Sequence, residues 1–374
     1  MEGRKSIIAL AFLSIFIVLE MSISADGTLG HEEEPDIIKN SNDDSADKII
    51  VDKNDDTHYK SIQKAIDHAQ SGSTIYVKEG EYSEIVNINK KIHLIGEGRD
   101  KTLINPESQK NKYAVGIRAA GVKLSGFGIT NKGPGLYTTG IRICSSQTEI
   151  EDCNIFDTPV GIAIWSSENT ISNCEFWGCK DEGIVFLGSS SNECNNNVVT
   201  NCTFYDNCDG IELQYSSNNT ISHCEFYDNT HAGIDAIGSS NNNNIISNCD
   251  IYDNEVFGIY ISRSSGNQIT NCSIYQNQIM ISNSENTSID ECELEGIYLR
   301  DSAIIIKNCK SLDVSKIKTT NSNYTIYNEE SVENKLDTNT KEDTIINEDF
   351  FIFDILNLIK IRLETIKARI FDNG

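Results

Sequence analysis

Residues able to do chemistry fall into columns when the recurring Gly-Ile pairs of this 374-residue chain are aligned, at Gly116, Gly140, Gly161, Gly183, Gly210, Gly233 and Gly258. Two positions after each Gly the column reads Arg118, Arg142, Ala163, Val185, Glu212, Asp235 and Tyr260, so two carboxylates stand on adjacent repeats. One position before the Gly, Glu182 and Asp209 repeat that arrangement. Like charges held this close raise one pKa or recruit a cation, which suits acid/base work or Ca²⁺ capture. His231, two before its Gly, is placed to complete an acid/base group with Asp235. The plainer reading is a solvated acidic face with a surface histidine, because 31 Lys and Arg stand against 56 Asp and Glu, a formal charge of −25. The same balance argues against nucleic acid as a partner, since neutralising phosphates needs a basic footprint.

The elements that must position these columns are short strands. Three adjacent copies, NVVTNCTFYDNCDGIEL, NTISHCEFYDNTHAGIDA and NIISNCDIYDNEVFGIYI, place an apolar residue three before a Cys and another two after it. That alternation marks a strand with one buried face, and Asp-Asn then turns the chain into the Gly-Ile strand. Cys153, Cys174, Cys202, Cys224, Cys249, Cys272, Cys292 and Cys309 belong to this repeat, where a free Cys serves as a small inward apolar side chain. Cys144, Cys179, Cys194 and Cys208 lie off the column, and the last three could reach one another to form a disulfide. The 55 Ile suit strand cores, the 40 Asn suit turns, and only 4 Pro interrupt stacking. Two or three strands per repeat with no helix between them cannot make βαβ crossovers, and the phrases of leucine-rich repeats are absent. The chain is expected to be all-β, a right-handed parallel β-helix of about ten turns stacked about 4.8 Å apart.

Six segments are expected along it. Residues 1–25 read as a secretory signal peptide, with Arg4 and Lys5, an apolar run and small residues at Ser22, Ser24 and Ala25. An acidic linker covers 26–48, an N-terminal cap and the first turns 49–100, and the β-helix repeats 101–310. The cap includes a helix over 59–70, with Ile62, Ala65, Ile66 and Ala69 on one face. A last turn and polar tether occupy 311–349, and 350–374 form an amphipathic helix that caps the open end or docks on a membrane surface or partner. A secreted or cell-surface location follows from the leader.

The segment IIVDKNDDTHYKSIQKAIDHAQSGSTIYVKEGEYSEIVNINKKIHLIGEG, followed by N-x-I-x-N-C-x-F-Y-x-N-x-x-G-I phrases, resembles NosD-type β-helix proteins of the pectin-lyase-like group over residues 49–310. The resemblance implies the fold; the group's activities range from lyases, hydrolases, epimerases and esterases to adhesins and assembly factors. CDGIEL resembles the Asp-Gly-Ile phrase of polygalacturonases at Asp209, but their paired Asp, Gly-His-Gly and Arg-x-Lys are missing. Of the Asp-Pro-His-Asp of mannuronan epimerases, GIDAIG keeps only Asp235, and of the Gly-x-Ile-Asp-Phe of pectin methylesterases it lacks the aromatic. The Arg base of pectate lyases has one nearby counterpart, Arg263, one turn after Asp235. The candidate catalytic set is therefore Glu212, Asp235, Asp209 and Arg263, with no cofactor expected unless a lyase uses Ca²⁺. A copper role lacks ligands, with 6 His and 3 Met unclustered.

A further column, Phe156, Trp177, Tyr205, Tyr227, Tyr252 and Tyr275, lies three after the repeat cysteines. Facing outward it would be a stacking platform for an extended glycan; packed at a corner it would be a buried ladder, the favoured reading. The working expectation is a β-helix protein that binds envelope polysaccharide along its long face. A uronate-directed lyase, hydrolase or epimerase and a structural assembly protein are the alternatives.

Overall fold

The computed structural model describes residues 48–106, 112–135, 138–192, 194–295, 302–320, 323–326 and 335–336. The expected signal segment, nearly all of the acidic linker, the tether beyond 336 and the C-terminal helix lie outside them. The described chain forms a right-handed parallel β-helix with three strands per turn, which build sheets A, B and C in the order the chain visits them. One turn shows the plan: Val198–Thr200 in A, Thr203–Tyr205 in B and Asp209–Gln214 in C, each paired in parallel with its counterpart a turn later. The helix Ile62–His68 closes the first turns, its N-terminus capped by the Ser61 hydroxyl accepting from the Lys64 N–H and Ile62, Ala65 and Ile66 buried. It is shorter than the expected 59–70 span by three residues at its start and two at its end.

Corners decide how tightly this chain can coil. Between A and B the turn is a single left-handed residue, with φ of 53° at Asn201, 55° at His223 and 54° at Asn248. Short polar side chains tolerate this conformation, and the repeat Cys follows immediately, turned inward. Its thiol donates to the carbonyl two residues back, at 3.3 Å for Cys202 and 3.2 Å for Cys224. At the other two corners asparagines stack instead. Asn169, Asn197, Asn219, Asn244 and Asn267 form one buried chain in which each side-chain amide donates to the next residue's Oδ1, at 2.9 to 3.2 Å. Asn207, Asn229, Asn254 and Asn277 form the second, at 2.7 to 3.1 Å. The Asn excess thus has two jobs: exposed turns, and buried side-chain ladders that the repeat phrase alone does not distinguish.

The interior is a set of like-on-like stacks. Phe176, Phe204 and Phe226 are fully buried and parallel, 4.7 and 4.8 Å apart. A Cβ on Gly183 would lie 2.8 Å from the Phe204 ring, and one on Gly210 2.6 Å from the Phe226 ring. The Gly of these Gly-Ile phrases lets sheet C pass this close.

All twelve cysteines are free thiols, including Cys179, Cys194 and Cys208. Burial pushes Cys194 up to about 12, and a hydrogen bond with Cys224, followed by burial, does the same for Cys249. Thiolates are the reactive species, so these groups are inert as folded. A maleimide applied to the native protein is expected to label only exposed Cys144 and half-buried Cys208, with the ladder modified only after unfolding. Peptide mapping checks this, and native labelling of Cys224 would contradict the buried ladder.

Candidate active site

The outer surface of sheet C collects the ionisable groups. Within Asp209–Gln214, Ile211 and Leu213 turn inward, so Glu212 and Gln214 turn outward. Glu182 is level with Asp209, and Glu212 with Asp235. The Gly-Ile alignment therefore gives the true register across these turns. It fails at the first one: Arg142 is level with Gly116, not Arg118, and the Tyr113 ring covers Gly116, 2.4 Å from where a Cβ would be.

Exposure overturns the plainer reading of these carboxylates. Glu182, Asp209, Glu212 and Asp235 are 7%, 2%, 4% and 0% exposed, so they form a buried acidic group and not a solvated face. His231 is no surface histidine either. Its Nδ1–H donates to Asp209 Oδ1 at 2.6 Å, and the same nitrogen is 3.8 Å from Asp235 Oδ2. With its side chain 15% exposed, it is the member of this trio that solvent reaches. Phe257 meets the imidazole edge-on, 6.1 Å between centroids, and stacks against Tyr260 at 5.1 Å.

Electrostatics follow from the burial. Glu182 is held well above the usual carboxylate range, by burial first and then by the charges of Asp181 and Glu212, so it carries a proton where free carboxylates do not. Gln214 donates to Glu212 Oε1 at 2.8 Å. Ca²⁺ takes six to eight oxygen ligands. Here the imidazole is bonded to Asp209, so the arrangement of Asp209, His231 and Asp235, their ligand atoms within 4.8 Å of one another, fits a shared proton better than calcium.

Arg263 lies off the strands that carry these carboxylates. It sits in the exposed turn after the strand Phe257–Ser262, at φ 52°, three residues past Tyr260, the residue level with Asp235.

The aromatic column is neither of its expected forms. Phe156, Trp177, Tyr205, Tyr227, Tyr252 and Tyr275 point outward from sheet B and are half-buried. Their rings stack on one another, with centroids 4.6 to 6.4 Å apart. Stacking uses up the faces that a sugar would need, leaving ring edges and a row of hydroxyls. One of these, Tyr252, donates to Glu225 Oε1 at 2.5 Å.

Comparison with known proteins adds to this geometry. A family model described as right handed beta helix region matches residues 92–245 and 236–347. A putative pectinesterase/pectinesterase inhibitor 22 of Arabidopsis thaliana is 28% identical over 163 residues, 39% of this chain and 28% of that protein. A probable pectinesterase/pectinesterase inhibitor 17 of the same plant is 37% identical over 172 residues, 42% of this chain and 32% of that protein. This chain thus spans about a third of the length of either relative. Among solved structures, the A-module of the Azotobacter vinelandii mannuronan C-5 epimerase AlgE4 superposes with a TM-score of 0.57 at 14% identity, covering 76% of this chain and 95% of the module. That likeness is one of fold.

Proposed function

The chain belongs to the right handed beta helix family, and from that premise we propose that it acts on a polysaccharide laid along the outer face of sheet C, using acid/base chemistry centred on His231. The observation that carries the reading is the hydrogen bond from His231 Nδ1 to buried Asp209, with Asp235 on the next turn. A carboxylate that accepts from one ring nitrogen fixes the tautomer and orientation of the imidazole and leaves Nε2 to exchange a proton with a substrate. Glu182, protonated by its surroundings and level with Asp209, is the second proton carrier, and glycan cleavage or rearrangement needs one group to give a proton and one to take it. The pectinesterase relatives favour a sugar polymer as the partner.

The sheet C face takes the role that an open aromatic platform would have filled, because the faces of that column are closed by self-stacking. Export directed by residues 1–25 would bring the protein to an envelope or extracellular glycan. Among the described residues no helix is long and apolar enough to cross a membrane.

The test is a polymer panel of polygalacturonate, alginate, a methyl-esterified pectin and a neutral β-glucan, with and without Ca²⁺. Chain length, unsaturated ends, released methanol and uronate configuration are followed. Turnover of at least one polymer, reduced in Asp209→Asn, is the expected result. Binding without any product would reduce the protein to a glycan-binding scaffold, and no interaction with any polymer would end the reading.

A further inference from the structure

The same face carries a second group of charges, of opposite sign, toward the N-terminal end. Arg142 lies between two rings, its guanidinium carbon 5.1 Å from the Tyr113 centroid and 5.4 Å from that of Trp165. Arg118 reaches the same Tyr113, 5.9 Å from its centroid, and donates from Nη2 to its hydroxyl at 3.2 Å. Tyr113 is itself fixed, donating to Asn87 Oδ1 at 2.7 Å and covering Gly116, whose lack of a side chain admits the ring. Two guanidiniums are thus drawn to one rigid aromatic mount on a chain of net charge −25.

Their position relative to the acid/base group is set by register. Arg142, Ala163, Val185 and Glu212 are successive members of one outward column. Arg142 is therefore three strand spacings from Glu212, roughly 14 Å at about 4.8 Å each. The interval is floored by buried Val160, Ala163 and Val185, with Trp165 and Leu187 packed beside them. The face thus runs from a cationic anchor over an apolar floor to a proton-exchanging group.

We propose that Arg118 and Arg142 form a subsite for an anionic group of the polymer, a carboxylate or a sulfate, so that the substrate is an acidic glycan bridging this anchor and the His231 group. This rests on the glycan reading above and adds the class of polymer and the end at which its charge is held. Planar guanidiniums with paired donors match carboxylate and sulfate oxygens, and their ring mounts hold them at little further cost in entropy.

Binding of polygalacturonate, dextran sulfate and a neutral β-glucan to the wild type and to Arg118→Gln/Arg142→Gln tests it, by affinity electrophoresis and calorimetry at low and raised salt. The wild type should prefer an acidic polymer, and the double variant, with an unchanged circular dichroism spectrum, should lose roughly tenfold or more of that affinity, as expected for a charge-assisted hydrogen bond. Neutral glucan should bind both proteins equally. The acidic polymer that shows the arginine-dependent loss identifies the group as carboxylate or sulfate. Equal acidic-polymer binding by wild type and double variant, or a preference for the neutral polymer, would overturn the subsite while leaving the glycan reading standing. Failure of every polymer to bind the wild type would remove both.

Discussion

Phe204→Ala should lower the stability of the solenoid by about 3 to 5 kcal/mol, the usual cost of deleting a buried aromatic ring. Phe204 is fully buried and stacked between Phe176 and Phe226, and its ring also fills the space that Gly183 leaves open. The neighbours cannot collapse into the void, because each is held by its own strand at the same spacing as before. Solenoid turns are stabilised by their immediate neighbours, so the loss concentrates on this turn and the two beside it. Equilibrium urea unfolding measures the total, and hydrogen exchange locates it. A loss below about 1 kcal/mol would mean that the turn repacks and that the ring stack is not what holds sheet B against sheet C.

His231→Gln should reduce turnover of whichever polymer is processed by about 10²- to 10⁴-fold, the range general acid/base catalysis contributes, while leaving polymer affinity within a few-fold of wild type. Glutamine keeps a polar group at the position but cannot relay a proton. The same variant should flatten one limb of the pH–rate profile. Asp209→Asn should behave similarly but less severely, because it removes the orienting partner and leaves the imidazole in place. A His231→Gln protein that turns over polymer at the wild-type rate would shift the chemistry to the carboxylates alone. A variant that loses binding and rate together would make His231 a binding residue.

The solenoid was legible because its signals are local and repeated. The phrase around each Cys states the strand, the corner and the inward side chain within a few residues, and the register of Glu182 with Asp209 and of Glu212 with Asp235 follows by counting. Counting fails at Gly116, whose glycine accommodates the Tyr113 ring and is not the close-approach glycine of the later turns. Burial was less legible. Alternation tells that Glu212 and Asp235 point away from the core, but not that the outer face of sheet C is shielded there, which depends on neighbours remote in sequence. His231 was visible as a neighbour of Asp235, yet its closest partner is Asp209, one turn back, because the imidazole reaches along the solenoid axis. The aromatic column showed spacing but not ring orientation, and orientation is what separates an open platform from self-stacked rings.

The two asparagine ladders cover nearly the same turns, Asn169 to Asn267 on one corner and Asn207 to Asn277 on the other. Toward the N-terminal end they give way to Thr148 and Cys179, which have no side-chain amide and whose backbone N–H groups donate to Asn169 Oδ1 and Asn207 Oδ1, and toward the C-terminal end the first ladder gives way to Thr287. The turns bearing Asp209 and Asp235 therefore lie in a doubly braced middle section. When the molecule is stretched along its axis or warmed, fraying begins in the unbraced turns and spreads inward, so the middle section is the last to yield. A protein built this way should keep Asp209, His231 and Asp235 in register when its ends fray under proteolysis or load.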